Sequence, residues 1–422
     1  MKILLLNHSD SGGGAAIASV RLLNALRDNN IDTTLGVVQK ASANNHIISL
    51  LKPNYTNNKI KINNKFSEII RNIIFKSSNP LKLHSTNNKS YIDINYINNS
   101  SFDLVHLHWI NNNMISIKDI SKIKKPIVWT MHDYWVISGA EHYPNILEND
   151  DRYIQGYSAK NKPKTTNGID LCRKTWNKKK NNWKNCKFNF ISPSNYLKDS
   201  FEKCALFRNS KSNCYVIHNI IPHEIFKPSD KNNLKELYNI PKNKKIIGFG
   251  AAYDVNDKKS IKGGFLLKEA LKLLNEKSNY YLIIFGNDCD ALLKDISIPA
   301  FSAGIITNPY ILASIYNLCD VFVCPSLLEN LPNVCLEAMF CGVPVTAFNT
   351  GGIPEIVEHQ KTGYLARCFD AEDLLYGINF CINNFSELSN NSLKKAKLDF
   401  NNENIVNKHI ELYKSILKQE LT

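Results

Sequence analysis

The chain has 422 residues, of which 43% are hydrophobic and 21% are charged. These proportions, together with 18 Gly and 15 Pro, are typical of globular proteins and exclude collagen-like, coiled-coil and mostly disordered chains. The length favours two or three domains over a single one. The net charge of +14 favours an anionic partner, such as nucleic acid, an acidic membrane surface or a phosphorylated substrate, without choosing among them.

The cysteines and the apolar segments indicate a cytoplasmic protein. The eleven cysteines have no zinc-site spacing, and we interpret them as reduced thiols. The first apolar run, residues 3–6, is too short for a secretory signal. No run of eighteen apolar residues is present, so we expect no bilayer-spanning helix and only peripheral membrane contact.

Short continuous apolar runs predict buried parallel strands, because helices on both faces of a sheet leave neither face polar. In chain order they lie at residues 3–6, 104–107, 127–130, 190–192, 215–218, 246–250, 281–285, 321–324 and 343–347. Amphipathic stretches between them predict helices at residues 16–29, 194–203, 264–275 and 333–340. The last of these is followed by Gly342 and Pro344, which is typical of a helix end. The alternation predicts the α/β fold class.

A linker is predicted after His218, where prolines and a polar segment separate two series of strands and helices. We therefore expect residues 1–218 and residues 219–395 to form two domains of similar size. Residues 392–419 look like one helix, and residues 396–422 are expected to return to the first domain.

The strongest functional pattern follows a predicted strand in the second domain. Glu329 and Glu337 enclose seven residues, and Pro332 lies where a first helical position is expected. Glu329 then lies in the loop before the helix, and Glu337 about a turn and a half inside it. Free N–H groups of the first turn, from Asn333 and Val334, favour an anion between the carboxylates. The pattern suits a sugar nucleotide; two acids that merely stabilise a helix start are the alternative.

Residues 320–363 resemble the signature half of the retaining glycosyltransferase family 4. The resemblance is carried by Cys-Pro-Ser at 324–326, the two glutamates, Gly-Val-Pro-Val at 342–345 and Gly-Gly-Ile-Pro-Glu at 351–355. A Gly-rich turn after the first strand, Thr-Met-His-Asp at 130–133 and Lys-Gly at 262–263 follow in the order of that family. The resemblance implies GT-B architecture, with two Rossmann-like domains facing across a cleft, an acceptor-side first domain and a nucleotide-sugar-binding second domain.

The resemblance also implies an activity and its partners. The activity is transfer of a hexose-type sugar, with retention, from a nucleoside diphosphate sugar to a hydroxyl of a polysaccharide or lipopolysaccharide precursor. The acceptor is then lipid-linked or a saccharide, and the protein is cytoplasmic or contacts the cytoplasmic face of the inner membrane. Two alternatives remain: a sugar-nucleotide-binding protein of this fold without transferase activity, and a nucleic-acid-binding protein, whose basic stripe with interleaved aromatics is missing.

Within the second domain the resemblance implies that Glu329 contacts the donor sugar and Glu337 the nucleotide ribose. Asn330 and Leu331 lie in the same segment and are included in the donor site. The base is expected to be read by the backbone near Gly304 and Ile305.

A basic side chain is expected beside the donor diphosphate, because the leaving nucleotide gains negative charge. Lys262 is the candidate. The family carries a further cation just after the strand glycine, where this chain has Ala251 and Ala252. Lys258 or Lys259 is the candidate substitute, and a solvated surface position is the alternative for each lysine.

In the first domain Gly12, Gly13 and Gly14 follow the first strand and open a helix. Ile17 stands where a dinucleotide-binding fingerprint has its third glycine, which disfavours a nicotinamide site. The resemblance places this loop near the donor phosphates and the acceptor. A tight strand-to-helix turn is the alternative.

His132 and Asp133 follow another strand of the first domain, at the carboxyl edge where α/β proteins bind ligands. The resemblance implies that His132 contacts the donor sugar, and Asp133 either orients His132 or handles the acceptor proton. The other nearby histidines, His106, His108 and His142, are interpreted as structural.

Two further patterns are given weaker interpretations. Asp-Cys-Asp at 288–290 matches a metal-binding pattern of other glycosyltransferases but is interpreted as a solvated loop, so we expect no metal and no other cofactor. Trp176 and Trp183, with the lysines at 178–180 between them, are expected either to touch phospholipid headgroups or a lipid-linked pyrophosphate, or to form a solvated helix.

Overall fold

The computed structural model describes residues 1–56, 58–60, 62, 65, 75–77, 83–145, 150–164, 166–251, 260–287, 292–294 and 296–419. The chain divides into two compact units. Unit 1 consists of Met1–Ile220 and Ile405–Thr422, and unit 2 of Ile221–Asn404.

Unit 1 is built on a seven-stranded sheet whose neighbouring strands are all parallel. Its strands are β1 (Lys2–Leu6), β2 (Asp32–Val37), β3 (Ile47–Ser49), β5 (Leu104–Leu107), β6 (Ile127–Thr130), β8 (Asn189–Ser192) and β9 (Asn213–Val216). The order across the sheet is β3-β2-β1-β5-β6-β8-β9. A separate antiparallel pair is formed by β4 (Phe75–Ser77) and β7 (Thr166–Gly168).

Helices cover both faces of the unit 1 sheet. They span Gly14–Asp28, Ile94–Asn99, Ile117–Ile120, Arg152–Gln155, Leu171–Trp183, Asn195–Lys203 and Asn402–Gln419, with a 3-10 turn at Tyr134–Val136. Alternate residues of β1 enter different cores: Leu4 packs in a large aromatic core, whereas Leu5 packs with Tyr413 of the last helix. Burial on both faces explains why β1 is apolar at successive positions.

Unit 2 contains a six-stranded parallel sheet. Its strands are β10 (Lys245–Ala251), β11 (Tyr280–Gly286), β12 (Ala300–Ser302), β13 (Val321–Cys324), β14 (Val345–Phe348) and β15 (Gly363–Ala366), in the order β12-β11-β10-β13-β14-β15. Its helices span Lys231–Leu237, Gly264–Lys272, Pro309–Leu318, Asn333–Phe340, Ile353–Ile356, Ala371–Asn383 and Phe385–Asp399, with a 3-10 turn at Lys277–Asn279.

In each sheet the strand order reverses direction beside the first strand of the unit. The reversal lies between β1 and β5 in unit 1 and between β10 and β13 in unit 2. Loops that leave the carboxyl ends of such strands diverge to opposite faces and leave room for a ligand. We therefore expect functional side chains among the residues just after β1, β5, β10 and β13.

The predicted α/β fold class is confirmed, and all nine predicted strands are present: 104–107, 127–130 and 321–324 with the predicted bounds, and the other six with shifted ends. The strand predicted at 215–218 is β9, which ends at Val216. The strand predicted at 343–347 begins only at Val345, because the Val343 N–H closes the preceding helix by donating to the Ala338 carbonyl (2.9 Å).

The single helix predicted over residues 392–419 is wrong. The structure has two helices, Phe385–Asp399 and Asn402–Gln419. The break lies at Phe400, whose backbone (φ −114°, ψ 37°) leaves the helical region while its side chain is buried in the unit 2 core. The sequence pattern missed this break because the apolar spacing continues across it.

Unit 1 buries a group of neutral histidines in and beside its core. Burial lowers the pKa of His8 and His132 to about 4 and that of His409 to about 3. Burial also holds the pKa values of His106 and His108 well below the ordinary value. All five are therefore uncharged at neutral pH.

We expect unit 1 to lose stability as the pH falls from about 6.5 towards 4. In this range an unfolded histidine binds a proton that its folded counterpart does not, so acid favours the unfolded state. Each such histidine costs about 2 kcal/mol at pH 5. Urea unfolding at pH 7 and pH 5, followed by tryptophan fluorescence, measures the loss, since all five tryptophans lie in unit 1.

His409→Phe is the matched variant, because phenylalanine keeps a ring in the core and removes one titrating group. Its free energy of unfolding should fall less than that of the natural protein between the two pH values, by about 1–2 kcal/mol. An equal fall in both proteins would show that His409 does not contribute.

Candidate functional site

The loop between β13 and the Asn333–Phe340 helix is held by hydrogen bonds from both sides. The Leu327 N–H donates to the Ile261 carbonyl (2.7 Å), and the Thr350 hydroxyl donates to the Leu327 carbonyl (2.9 Å). The Gly352 N–H donates to the Glu329 carbonyl (3.0 Å). These bonds fix the backbone of Glu329 between the loops that follow β10 and β14.

Two glycines allow this close packing of backbone on backbone. A Cβ at Gly263 would lie 1.8 Å from the Pro325 carbonyl oxygen, and a Cβ at Gly351 would lie 1.9 Å from that of Glu329. Both glycines have positive φ, +64° and +59°. Any other residue would therefore have to displace the loop and adopt a strained backbone.

Glu329 and Lys262 form an ion pair across these loops. The Lys262 ammonium lies 2.5 Å from Glu329 Oε1, and the two side chains are 26% and 12% exposed. Burial lowers the pKa of Lys262, but the charge and hydrogen bond of Glu329 outweigh it, so the pKa lies above its usual value. The structure thus brings together two predicted site residues and keeps the lysine charged.

Glu337 has a different environment from Glu329. It is buried within the helix, and its Oε2 accepts a hydrogen bond (2.9 Å) from the hydroxyl of Tyr316, which lies on the Pro309–Leu318 helix. Burial and this carboxylate hold the pKa of the Tyr316 hydroxyl well above its ordinary value, so the hydroxyl remains a donor. The prediction that Pro332 is the first helical residue is wrong by one position: Pro332 precedes the helix, which begins at Asn333.

The other predicted residues of unit 2 lie in two places. Asn330 and Leu331 are buried in the fixed loop, and Asn333 and Val334 are half-buried in the first turn of the helix. Gly304 and the 71% exposed Ile305 follow β12 at the sheet edge, three strands away from β13. Lys258, Lys259, Ala252 and the 288–290 motif lie outside the described residues.

The glycine loop of unit 1 follows β1 at the point of strand reversal. Gly12 and Gly13 have positive φ, and Gly14 is the first residue of the Gly14–Asp28 helix. A Cβ on Gly12 or Gly13 would have no heavy atom within 4 Å. The backbone of this loop is therefore open to a ligand rather than packed against the protein.

His132 lies at the carboxyl edge of the unit 1 sheet and contacts His108. His132 Nε2 is 3.0 Å from His108 Nδ1, and the two ring planes are inclined by 26° with centroids 5.3 Å apart, which is the edge-to-edge arrangement of a hydrogen bond. Sequence reasoning interpreted His108 as structural. The signal available in the sequence was the two-residue spacing of His106 and His108 at the end of a predicted strand. Side chains two residues apart in a strand lie on the same face, so this spacing predicts that the two rings are neighbours.

Asp133 is bonded to other partners than His132. It accepts hydrogen bonds from Trp109 Nε1 (3.1 Å), from the Trp135 backbone N–H (2.8 Å) and from His142 Nδ1 (2.6 Å). Burial raises the pKa of Asp133, but His142 and the Trp135 N–H bring it below its usual value. These bonds show Asp133 orienting His142 rather than His132.

The prediction that Trp176 and Trp183 touch a lipid headgroup or pyrophosphate is wrong, whereas the alternative of a solvated helix holds for one face, where Asn177 and Lys180 are exposed. Both rings are buried, at 6% and 2% exposure. Lys179 between them is also buried, and its ammonium donates to the carbonyls of Trp135, Ser138 and Gly139. Trp176, Lys179 and Trp183 therefore lie on the buried face of the Leu171–Trp183 helix, which packs against the rest of unit 1.

Among the described residues no group of three or more His, Cys, Asp and Glu is arranged to hold a metal ion. Within the same ranges no helix has the length and apolar character needed to cross a bilayer.

The geometry agrees with comparisons to known proteins. The family model for group 1 glycosyl transferases matches residues 244–384, which contain Lys262, Glu329 and Glu337. Residues 244–384 form a group 1 glycosyl transferase domain. An uncharacterised glycosyltransferase of Methanocaldococcus jannaschii is 27% identical over 240 residues, which are 53% of this chain and 59% of that protein. The N-acetyl-alpha-D-glucosaminyl L-malate synthase of Bacillus anthracis is 24% identical over 216 residues, which are 49% and 54% of the two chains.

The whole chain is similar in structure to HepE of Anabaena in complex with UDP-glucose. The TM-score is 0.66 at 17% identity, covering 98% of this chain and 100% of HepE. This similarity shows the fold, which is GT-B, with two parallel-sheet α/β units. The chain spans about half the length of the curated relatives it matches. The match to the family model thus lies within unit 2.

Gly351→Ala should destabilise the glycosyl transferase domain more than Gly304→Ala. Gly304 has the same positive φ of +59°, but a Cβ there meets nothing within 4 Å. Gly304→Ala therefore costs only the backbone strain, about 1 kcal/mol, whereas Gly351→Ala adds the clash with Glu329 and costs about 3 kcal/mol or more.

Thermal unfolding followed by far-UV circular dichroism measures both variants. Tryptophan fluorescence, which reports only unit 1, serves as the internal reference. Equal destabilisation by the two alanines would show that the contact with the Glu329 carbonyl is not a constraint.

Proposed function

We propose that this protein is a retaining glycosyltransferase that moves a hexose-type sugar from a nucleoside diphosphate sugar to a hydroxyl of a polysaccharide or lipopolysaccharide precursor. The observation that carries the proposal is the Lys262–Glu329 pair, held on fixed backbone inside the group 1 glycosyl transferase domain. An ammonium suits a diphosphate, and a carboxylate suits sugar hydroxyls.

The ion pair also suggests how the donor is received. A diphosphate brings negative charge to Lys262, and its attraction to one cation at 4 Å is about 4 kcal/mol at an effective dielectric constant of 20. Lys262 then shifts from Glu329 towards the phosphates and leaves the Glu329 carboxylate free to accept sugar hydroxyls. The donor exchanges one set of charged hydrogen bonds for another, so neither side chain is left unpaired.

The choice of a hexose donor is supported by HepE, whose structure contains UDP-glucose. Glu337 is proposed to contact the ribose, and the backbone at Gly304 and Ile305 to contact the base. In unit 1, we assign substrate contacts to His132 and to the open loop of Gly12, Gly13 and Gly14. No metal is included, because Lys262 supplies the positive charge that the leaving diphosphate requires.

Retention is proposed to proceed through an oxocarbenium-like state on the face of the leaving phosphate. The protein then stabilises charge on the diphosphate and excludes water from the sugar, and no protein nucleophile takes part. The stereochemical outcome distinguishes this route from a direct inversion.

The charge distribution supports an anionic acceptor or an anionic surface on the unit 1 side. Unit 1 has 34 Lys and Arg against 17 Asp and Glu, whereas unit 2 has 18 against 21. The whole positive excess of the chain therefore belongs to unit 1. Such an excess attracts lipid-linked phosphates and anionic headgroups over a distance of about a Debye length, roughly 8 Å at physiological ionic strength.

Glu329→Gln should lower turnover of the donor at least about 100-fold, because the amide keeps the shape of the carboxylate but loses its charge. The release of nucleoside diphosphate from a UDP-sugar, with water as acceptor, measures turnover without knowledge of the natural acceptor. Thermal shifts with UDP-, GDP- and ADP-sugars first identify the donor to be used.

Glu358→Gln is the matched control, since Glu358 is an exposed glutamate of unit 2 that pairs with Lys361 and Lys395. It should leave turnover unchanged. Undiminished turnover in Glu329→Gln would refute the role assigned to Glu329. A donor that binds but is turned over by neither the natural protein nor the control would identify a binding protein without transferase activity.

The transferred sugar should keep the anomeric configuration that it has in the donor. Proton NMR of the product, recorded before the free sugar equilibrates, gives the anomeric coupling constant. Retention is expected, and an inverted first product would exclude the proposed route.

A further inference from the structure

We propose that His108 is a positioning residue that fixes the tautomer of His132, so that His132 carries its proton on Nδ1 and acts as a hydrogen-bond donor. The inference rests on the proposed function in one respect, namely that His132 contacts substrate. The tautomer itself is measured independently of any activity.

The fold places the two histidines side by side. They follow β5 and β6, which are parallel neighbours with Leu107 opposite Trp129, so both leave the same edge of the sheet. His108 Nδ1 and His132 Nε2 are 3.0 Å apart. This is a hydrogen-bond distance. Because His132 forms this bond through Nε2, its Nδ1 takes no part in it.

His108 is held rigidly from its other sides. Its ring stacks on His106, with centroids 4.4 Å apart and an interplanar angle of 28°. Its carbonyl accepts a hydrogen bond from Trp129 Nε1 (3.2 Å). His106 is in turn bonded to Thr130 and to Tyr413, both at 2.7 Å. His108 is 4% exposed, whereas His132 is half-buried, so His132 is the member of the pair that a ligand can reach.

Only one proton lies between the two rings. Burial keeps both imidazoles uncharged at neutral pH, and a neutral imidazole has one N–H and one acceptor nitrogen. Either His108 Nδ1 donates to His132 Nε2, or the reverse holds. The two arrangements present opposite chemistry to a ligand: in the first, His132 offers an N–H at Nδ1; in the second, it offers a lone pair.

The surroundings of His108 Nε2, the ring nitrogen that does not bond His132, decide between these two proton positions. His108 Nε2 is buried without a hydrogen-bond partner among the described residues, and so is Nδ1 of His409. Both residues line one small cavity, beside Thr130 and His218. Buried N–H groups without an acceptor are rarer than acceptors short of a donor, as backbone groups show. His108 Nε2 is therefore the bare nitrogen, and the proton of His108 lies on Nδ1, directed at His132.

The consequence is an uncharged hydrogen-bond donor at the carboxyl edge of the unit 1 sheet. An N–H on His132 Nδ1 can bond a sugar hydroxyl or a phosphate oxygen without carrying charge. It cannot take the acceptor proton at that nitrogen. This assigns His132 to binding and orientation rather than to general base catalysis.

The decisive experiment is nitrogen NMR of the full chain labelled with ¹⁵N-histidine at pH 7.5, in which the shifts of both ring nitrogens of His132 report which one is protonated. A His132→Phe variant assigns the signals by their loss. We expect a proton on Nδ1 in the natural protein. In His108→Phe the bond is lost, and the population with the proton on Nε2, the form that free histidine favours in water, should become the major one.

His108→Asn is the conservative variant. Its amide nitrogen can take the place of Nδ1 and donate to His132, so the proton should remain on Nδ1. Tryptophan fluorescence verifies that unit 1 of each variant is folded. A natural protein with the proton on Nε2 of His132, or an unchanged tautomer in a folded His108→Phe, would overturn the inference. If His108→Phe does not fold, the spectra of the natural protein and of His108→Asn still decide it.

Donor turnover separates this inference from the proposed function. His108→Phe should lower kcat about five- to tenfold with little change in KM, as expected for one lost hydrogen bond, and His108→Asn should restore most of it. If His132→Phe leaves turnover unchanged while His108→Phe shifts the tautomer, the positioning stands and the proposed substrate contact of His132 fails. If His132→Phe lowers turnover while His108→Phe alters neither tautomer nor turnover, the positioning fails and the proposed function stands.

Discussion

The rest of the candidate site in unit 2 depends on one constraint: the loop at residues 325–332 packs against the backbone of the loops on either side of it. Gly263 and Gly351 let two neighbouring loops approach the carbonyls of Pro325 and Glu329 more closely than any side chain would allow. The backbone of Glu329 is thereby fixed, and its carboxylate meets Lys262. A carboxylate placed by rigid backbone loses little entropy when a ligand arrives, which is the physical advantage of building the site in this way.

The two units have the same kind of parallel sheet and the same position of strand reversal, but they offer opposite chemistry at that edge. Unit 2 places a charged pair there, whereas unit 1 places uncharged imidazoles beside an open glycine loop. The net positive charge belongs to unit 1, although its buried histidines contribute none of it. In the proposed function, different residues of unit 1 therefore carry long-range attraction and short-range recognition.

Much of this arrangement was predictable from residue patterns. Continuous apolar runs predicted the strands, because a sheet covered on both faces has no polar positions to break the run. Glu329 and Glu337 were identified from their spacing relative to a predicted strand and helix, and Lys262 from the family resemblance and the need for a cation beside a diphosphate. His108 was not found as a candidate, because its spacing from His106 shows only that the two share a face of one strand, whereas its contact with His132 depends on β6 lying next to β5. The burial of Trp176, Lys179 and Trp183 was missed because lysines are normally exposed. A helix face that includes a lysine therefore does not look like a core-facing one in the sequence.

The sequence by itself determined the α/β class and the acidic pair at the start of the Asn333–Phe340 helix, since these depend on continuous apolar runs and short spacing. Only the tertiary structure decided that Lys262 pairs with Glu329, that Asp133 serves His142 and that His108 bonds His132. The first and third contacts join loops that follow neighbouring strands, so their distances arise from the order of strands in the sheet, whereas Asp133 and His142 lie on either side of the 3-10 turn at Tyr134–Val136. A hydrogen bond requires its atoms to lie within about 3.2 Å, a precision that only the assembled sheet provides.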